Sequence, residues 1–408
     1  MHAVNSTGGR LRRLAAIVLL AAAAGCGFAL AASTATPDPA SPRTPTAPPP
    51  TLAPLPRQYP LPHLDQPQYG IQAFLWWFVD NKTGQRDADL VKDLGFGWIK
   101  QQFSWRDIAG SQGGYDWFRT DLVVQLAEER GLKLLVRLDK TPFWALADLA
   151  AAQGATDSPP RDPALFAEFC GALAQRYAGR IAAYEVWNEP NLTREWGGQP
   201  PDPAGYAALL KPCYEAIKAA DPAALVISAG LAPTGTDNSD IAMPDDQFYR
   251  GLYEAGAAPY FDMLGVHAPG YMNPPERSPD DTEADPTLAA RWITFRHVED
   301  IRALMVEYGD GEKQVAVTEL GWTSDELHDD YKWFAVDEQT RADYLVRAFQ
   351  YARANWQPWI GLLNMVYIAD PEWTPDNEQY WWAITRPTAA GDPAVLLPAY
   401  EALRAMPK

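Results

Sequence analysis

Two glutamates stand where chemistry could be done. Glu189 closes the run Val186-Trp187-Asn188-Glu189-Pro190-Asn191, and Glu319 closes Val315-Ala316-Val317-Thr318-Glu319-Leu320-Gly321-Trp322. Each follows a short apolar run, the pattern of a buried strand that ends in a carboxylate. Two carboxyls facing each other across a cleft suit cleavage of a glycosidic bond. One protonates the leaving oxygen while the other attacks the anomeric carbon or activates water. The charge of one raises the pKa of the other, and environment then divides the roles.

The elements that must position this pair are legible as alternation. Short runs rich in Val, Ile and Leu alternate with longer stretches of helical period, as in parallel strands buried on both faces and joined by crossover helices. The strand candidates are Gly70–Trp76, Gly97–Gln102, Lys133–Leu138, Ile181–Trp187, Ala224–Gly230, Phe261–His267, Gln314–Glu319 and Ile360–Tyr367. Helices are expected at Phe118–Arg130, Pro163–Tyr177, Pro203–Ala219, Thr287–Tyr308 and Glu338–Ala354, with a closing helix at Pro393–Ala405. The fold class is therefore α/β, a (β/α)8 TIM barrel, whose chemistry sits at the C-terminal ends of its strands. Strands four and seven then present Glu189 and Glu319 across the mouth. A doubly wound sheet would need a Gly-rich turn after the first strand, and Ala73-Phe74-Leu75-Trp76-Trp77 offers none.

Composition narrows the partners. The 408 residues carry a formal net charge of −18, with no basic cluster to release counterions from a nucleic acid. The five histidines are scattered without ligand-like spacing, so neither a metal site nor a cofactor is implied. Residues 1–31 read as a signal peptide. Arg10, Arg12 and Arg13 precede an apolar run too short to span a bilayer, and Ala24-Gly25-Cys26 resembles a lipobox, making Cys26 the lipidation candidate and a lipidated N-terminus the route to a membrane. Cleavage after Ala29-Leu30-Ala31 is the alternative. Residues 32–67 are a Pro- and Thr-rich linker expected to be disordered, and residues 68–408 form the catalytic domain. Cys170 and Cys213, on consecutive helices, are either a disulfide or two buried thiols. Asp280, Asp281 and Glu283 read as a solvated acidic loop, with calcium binding as the other use. Lys100, Arg137 and Glu185 lie on neighbouring strands and could form a charge network inside the barrel, but the expectation is that one or two of them turn to the surface. The sequence does not give the oligomeric state.

The two glutamate motifs together resemble the clan A retaining glycoside hydrolases, the group that includes families 5 and 39. Agreement extends from about Tyr69 to Ala405, through Trp98-Ile99-Lys100, Trp105-Arg106-Asp107-Ile108, Gly114-Tyr115-Asp116-Trp117, Thr141-Pro142-Phe143-Trp144-Ala145 and Pro398-Ala399-Tyr400-Glu401-Ala402-Leu403. The resemblance implies that Glu189 is the acid/base and Glu319 the nucleophile. It further implies that Asn188 bonds the sugar 2-hydroxyl, that His267 binds sugar, and that the Tyr271 phenol steadies the nucleophile. Trp144 and Trp322 would contact substrate. Two positions depart from the family pattern: Lys100 stands where an arginine beside the nucleophile is usual, and strand eight lacks the tryptophan under the reactive sugar, leaving Tyr367 or a Trp of the following loop to substitute.

Aromatic side chains crowd the expected βα loops: Trp76, Trp77, Trp105, Trp144, Trp196, Trp322, Trp373, Tyr380, Trp381 and Trp382. Sugar rings stack on such faces. The expectation is an exported enzyme acting on a β-linked polysaccharide or oligosaccharide, internally rather than from an end. The alternatives are an exo-acting β-glycosidase or β-xylosidase and, in a different class, a glycan-binding surface lipoprotein on a barrel that no longer turns over.

Overall fold

The computed structural model describes residues 59–77, 82–147 and 155–408. The signal segment with Cys26, the linker through residue 58 and the side chain of Trp77 lie outside the described residues.

Eight parallel strands close into a barrel in sequence order. They are β1 (Gln68–Gln72), β2 (Trp98–Ser104), β3 (Lys133–Asp139), β4 (Ala183–Val186), β5 (Leu225–Ser228), β6 (Met263–Pro269), β7 (Gln314–Gly321) and β8 (Ile360–Met365). The main helices between and after them are α1 (Lys82–Asp93), α2 (Phe118–Glu129), α3 (Pro163–Arg176), α4 (Pro203–Ala220), α5 (Asp245–Glu254), α6 (His297–Glu307), α7 (Glu338–Asn355) and α8 (Pro398–Ala405). Helix starts follow local chemistry: Asp162 accepts from the Ala164 N–H with Pro163 in the first turn of α3, and Asp337 accepts from the Gln339 and Thr340 N–H groups of α7.

The strand alternation sorts side chains into two layers. One face of each strand packs on the helices; the other fills the barrel. Trp98, Leu135, Ala183, Leu225, Ile227, Met263, Ala316 and Leu362 form a separate apolar plug at the base of the interior. Two residues further along β2, β3 and β4 on the same face stand Lys100, Arg137 and Glu185, all turned into the barrel. None turns outward, contrary to the sequence expectation, because the period of two that buries Trp98, Leu135 and Ala183 also buries the residues two places on.

Other departures have local causes. The helix expected from Thr287 begins only at His297, since Ala289 has φ +45° and Asp285 draws the N–H and hydroxyl of Thr287 into a turn. The linker expected to run to residue 67 already lies on the barrel from Tyr59, whose ring meets Tyr214 at 6.3 Å, while Leu64 exchanges two hydrogen bonds with the Gln314 side chain. Asp280 and Glu283 pair with Arg291, and Asp281 completes a capping box with Ser278. Cys170 on α3 and Cys213 on α4 are joined in a disulfide.

Candidate active site

Glu189 sits just beyond β4, where the chain turns sharply: Trp187 has φ +76° and Glu189 φ +43°. Such values strain a side-chain-bearing residue by about 1–3 kcal/mol and persist only when the surroundings impose them. The surroundings here are specific. The Trp187 N–H donates to Leu138 O at 2.9 Å, its indole to Glu195 O at 2.9 Å, and the Glu189 N–H to Gly230 O at 3.0 Å. Asn191 then ties the loop to β5 by exchanging bonds with the backbone of Ala232.

Glu319 reaches the same mouth from β7. A register shift between Val266 and His267 sets His267 level with Glu319, the kind of irregularity that re-aims a side chain at a barrel rim. His267 Nδ1 lies 2.9 Å from Glu189 Oε1, and Arg194, in the turn after Glu189, places Nη2 3.2 Å from Glu189 Oε2. Lys100 Nζ is 3.1 Å from Glu319 Oε1 and 2.8 Å from Glu185 Oε2, and donates to Thr318 O at 3.2 Å. Arg137 Nη1 donates to Glu319 Oε1 at 3.3 Å and to Asn188 Oδ1 at 3.0 Å. Because guanidinium only donates, that bond fixes which end of the Asn188 amide is oxygen and leaves its NH2 as a donor.

These charges decide protonation. Burial alone would raise Glu319, but Lys100, His267 and Arg137 overcome it and hold the carboxyl at about 2. Burial would likewise raise Glu189; the bond and charge of His267, with Arg194, keep it below its ordinary value. His267 is buried, which disfavours its charge, yet the carboxylates of Glu319 and Glu189 raise it above 6.5. Both carboxyls are thus held toward their ionised forms, and the imidazole between them holds its proton more tightly than a free one.

Four of the residues singled out from sequence beside the two glutamates need placing. Lys100 takes the position beside the second carboxylate as a compact charge. Tyr271 lines the pocket, but its phenol donates to Pro233 O at 2.9 Å and not to Glu319, because a left-handed backbone at φ +50° turns it toward β5. Trp322 is fully buried, donating to Asn273 O and packed on Phe295 and Tyr344. Trp144 donates to Ala109 O and meets Trp105 edge-on, outside the pocket. Trp105 and Trp196 are likewise buried. The aromatic walls are instead Tyr271, Tyr331, Phe334, Tyr367 and Trp382, around a space of ≈ 790 Å³ counted to its open mouth, with Glu189, His267 and Glu319 among its lining. Tyr367 and Trp382 thus occupy the strand-eight side where no strand tryptophan exists. Burial and the charge of Glu319 hold the Tyr367 phenol well above 10, a neutral donor.

Arg194 and Gly230 carry no sequence signal that would have found them. A Cβ on Gly230 would fall 2.2 Å from His267 Cδ2 and 2.4 Å from Nε2. Gly230→Ala is therefore expected to push the imidazole off Glu189 and lower kcat/KM by about 10²-fold, while overpacking of about 1–3 kcal/mol leaves the barrel folded. Steady-state kinetics and thermal melts on the purified variant check both halves; wild-type kcat/KM would show that the His267 placement does not matter.

Known proteins resemble this chain in sequence family and in fold. The sequence model of the cellulase family, described as glycosyl hydrolase family 5, matches residues 64–360. Among solved structures, a family 39 glycoside hydrolase from the gut symbiont Bacteroides cellulosilyticus WH2 superposes with TM-score 0.61 at 20% identity, over 84% of this chain and 64% of its own. The family 39 enzyme from Xanthomonas axonopodis pv. citri gives 0.56 at 18%, over 84% and 66%. A β-glycosidase, BGL167, gives 0.56 at 18%, over 83% and 95%. The chain thus spans just under two thirds of the length of the two family 39 structures. At these identities the likeness is one of fold. No curated protein matches the chain.

Proposed function

The chain belongs to the cellulase family, glycosyl hydrolase family 5, and from that membership we propose that it hydrolyses O-glycosidic bonds of a β-linked oligosaccharide or polysaccharide with retention of configuration. The observation that carries the proposal is the unequal environment of the two carboxylates: Glu319 lies against the cations of Lys100 and Arg137, while Glu189 lies against His267 and Arg194.

In this reading the proton crosses the 2.9 Å contact from His267 Nδ1 to Glu189, which delivers it to the leaving oxygen as Glu319 attacks the anomeric carbon. The resulting glycosyl ester removes the charge of Glu319. Glu189, now ionised, takes a proton from water, which attacks the ester and frees the sugar. The Asn188 amide donates to the sugar 2-hydroxyl, and Tyr367 faces the reacting ring from β8. Two inversions leave the anomeric configuration unchanged, so proton NMR of the first product from an aryl β-glycoside should show the β anomer before mutarotation. An α product would exclude double displacement, and no turnover of any glycoside would favour a binding protein.

The proposal also places the chain outside the cytoplasm, held by a lipid on Cys26 or released after the signal. The signal-like N-terminus supports export, and the Cys170–Cys213 disulfide suits an oxidising compartment. Cys26→Ser is expected to move the protein from the membrane fraction to the medium. Unchanged fractionation with a mature N-terminus at Ala32 would point to ordinary secretion.

A further inference from the structure

Tyr331, in the loop between β7 and α7, lines the pocket that holds Glu189 and Glu319. It is 1% exposed, and its phenol has no hydrogen-bond partner among the described residues. A buried donor left unpaired is costly, and in a pocket wall it points to a partner supplied from outside the chain. The side chain is held in place. Its ring stands edge-on to Trp382 at 6.4 Å and to Phe334 at 5.9 Å. The loop is fastened by the Val336 N–H, which donates to Thr323 O at 2.9 Å, and by the Ser324 N–H, which donates to Trp381 O at 3.3 Å. Burial raises the phenol well above its usual value, and the charges next in effect are Glu378, Arg194 and Glu189. Tyr331 is therefore a neutral donor set among the charged groups around the acid.

Glu378 opens the short helix Glu378–Trp382, is 4% exposed and lines the same pocket. Of the surrounding charges it acts most on the Tyr331 phenol, yet the two are not bonded. A phenol gives a hydrogen bond and a carboxylate takes one. A hydroxyl satisfies both through a single oxygen, whereas a sugar carboxylate would only accept and would meet Glu378 as a like charge. The reacting sugar must touch Glu189 and Glu319, so it sits in this pocket. Resting on the hydrolase reading above, we infer that Tyr331 and Glu378 hold one hydroxyl of the reacting sugar between them, the phenol donating to its oxygen and the carboxylate accepting its proton. The contact selects neutral sugars that keep that hydroxyl free. A sugar deoxygenated there, or oxidised there to an acid, leaves the buried phenol unpaired and is rejected.

The test uses the full-length protein. A panel of 4-nitrophenyl β-glycosides first identifies a glycone that is cleaved. With that glycone fixed, kcat/KM is measured for the parent and for its analogues deoxygenated at one hydroxyl each, with the wild type, Tyr331→Phe and Glu378→Gln. Deoxygenation also changes the intrinsic reactivity of the bond, but equally for every enzyme form, so ratios between forms isolate the contact. Tyr331→Phe should lower kcat/KM of the parent about 10- to 100-fold. Against one deoxy analogue alone that loss should shrink to less than about threefold, and Glu378→Gln should single out the same position. Phenylalanine differs from tyrosine only by the oxygen, so the packing on Phe334 and Trp382 persists, and thermal melting checks it. Wild-type kcat/KM in Tyr331→Phe, a loss of equal size on every deoxy analogue, or a different position for each variant overturns the inference while leaving the hydrolase reading intact. Failure to cleave any aryl glycoside overturns both.

Discussion

Glu319→Ala is expected to lower turnover of every glycoside by at least about 10⁵-fold, because no group remains to form the ester. Glu189→Ala should behave differently. Its loss of about 10²- to 10⁴-fold falls on substrates with poor leaving groups and is small for dinitrophenyl glycosides, which depart unprotonated. Azide needs no general base, so it should restore turnover of the Glu189→Ala variant with an activated substrate and yield the β-glycosyl azide. Kinetics with paired aryl glycosides and chromatography of the azide product check this. Equal residual activity of both variants on activated substrates would reverse or remove the assignment. The pH profile follows from the same groups. Glu319, at about 2, stays ionised through the working range. On the alkaline side, kcat/KM should fall only as His267 loses its proton, above the range of an ordinary imidazole, because the carboxylates of Glu319 and Glu189 raise it.

Lys100→Met should cost both activity and stability, by another route. Lys100 is completely buried between Glu185 and Glu319. Taking its charge away strands two carboxylates inside the barrel, and breaking a buried pair from one side costs about 3–5 kcal/mol. The sign of the pH dependence is set by Glu319, whose carboxyl is lowered from 4.5 to about 2 in the fold. That shift contributes stability fully present above 4.5 and lost as pH falls through 2. In Lys100→Met the contribution shrinks, so the variant should melt earlier at neutral pH and lose less on acidification than the wild type. Activity should drop about 10²- to 10³-fold, as when a preorganised electrostatic partner is removed. Lys100→Arg retains the charge and should recover part of the activity. A Lys100→Met variant with wild-type melting and kinetics would mean that the ion pairs do not govern Glu319.

The strands were legible because a parallel barrel buries both faces and so writes continuous Val, Ile and Leu runs, with Glu189 and Glu319 conspicuous as acids ending such runs. Helix α6 was misjudged at its start because a side-chain turn at Asp285 and the backbone at Ala289 override a helical pattern. The inward set of Lys100, Arg137 and Glu185 was available in the period of two from Trp98, Leu135 and Ala183, but three charges inside a barrel run against the usual cost of burying charge. Indoles were the poorest guide. Trp144 and Trp322 stand on βα loops as expected, yet a loop has two sides, and sequence does not say that one indole is bonded to Ala109 and the other to Asn273. Gly230 matters only through His267, 37 residues away, a contact no local pattern encodes.

The cations around Glu319 bear on the lifetime of the intermediate. In the proposed mechanism, esterification converts that carboxylate to a neutral acyl group, while Arg137 and the Lys100–Glu185 pair stay where they are. The covalent species then sits in a field suited to the anion it has ceased to be, and breaking the ester restores the match. Such an enzyme should hold little covalent intermediate at steady state and should pass few sugars to added alcohols, its deglycosylation hastened by the same charges that prepared the attack.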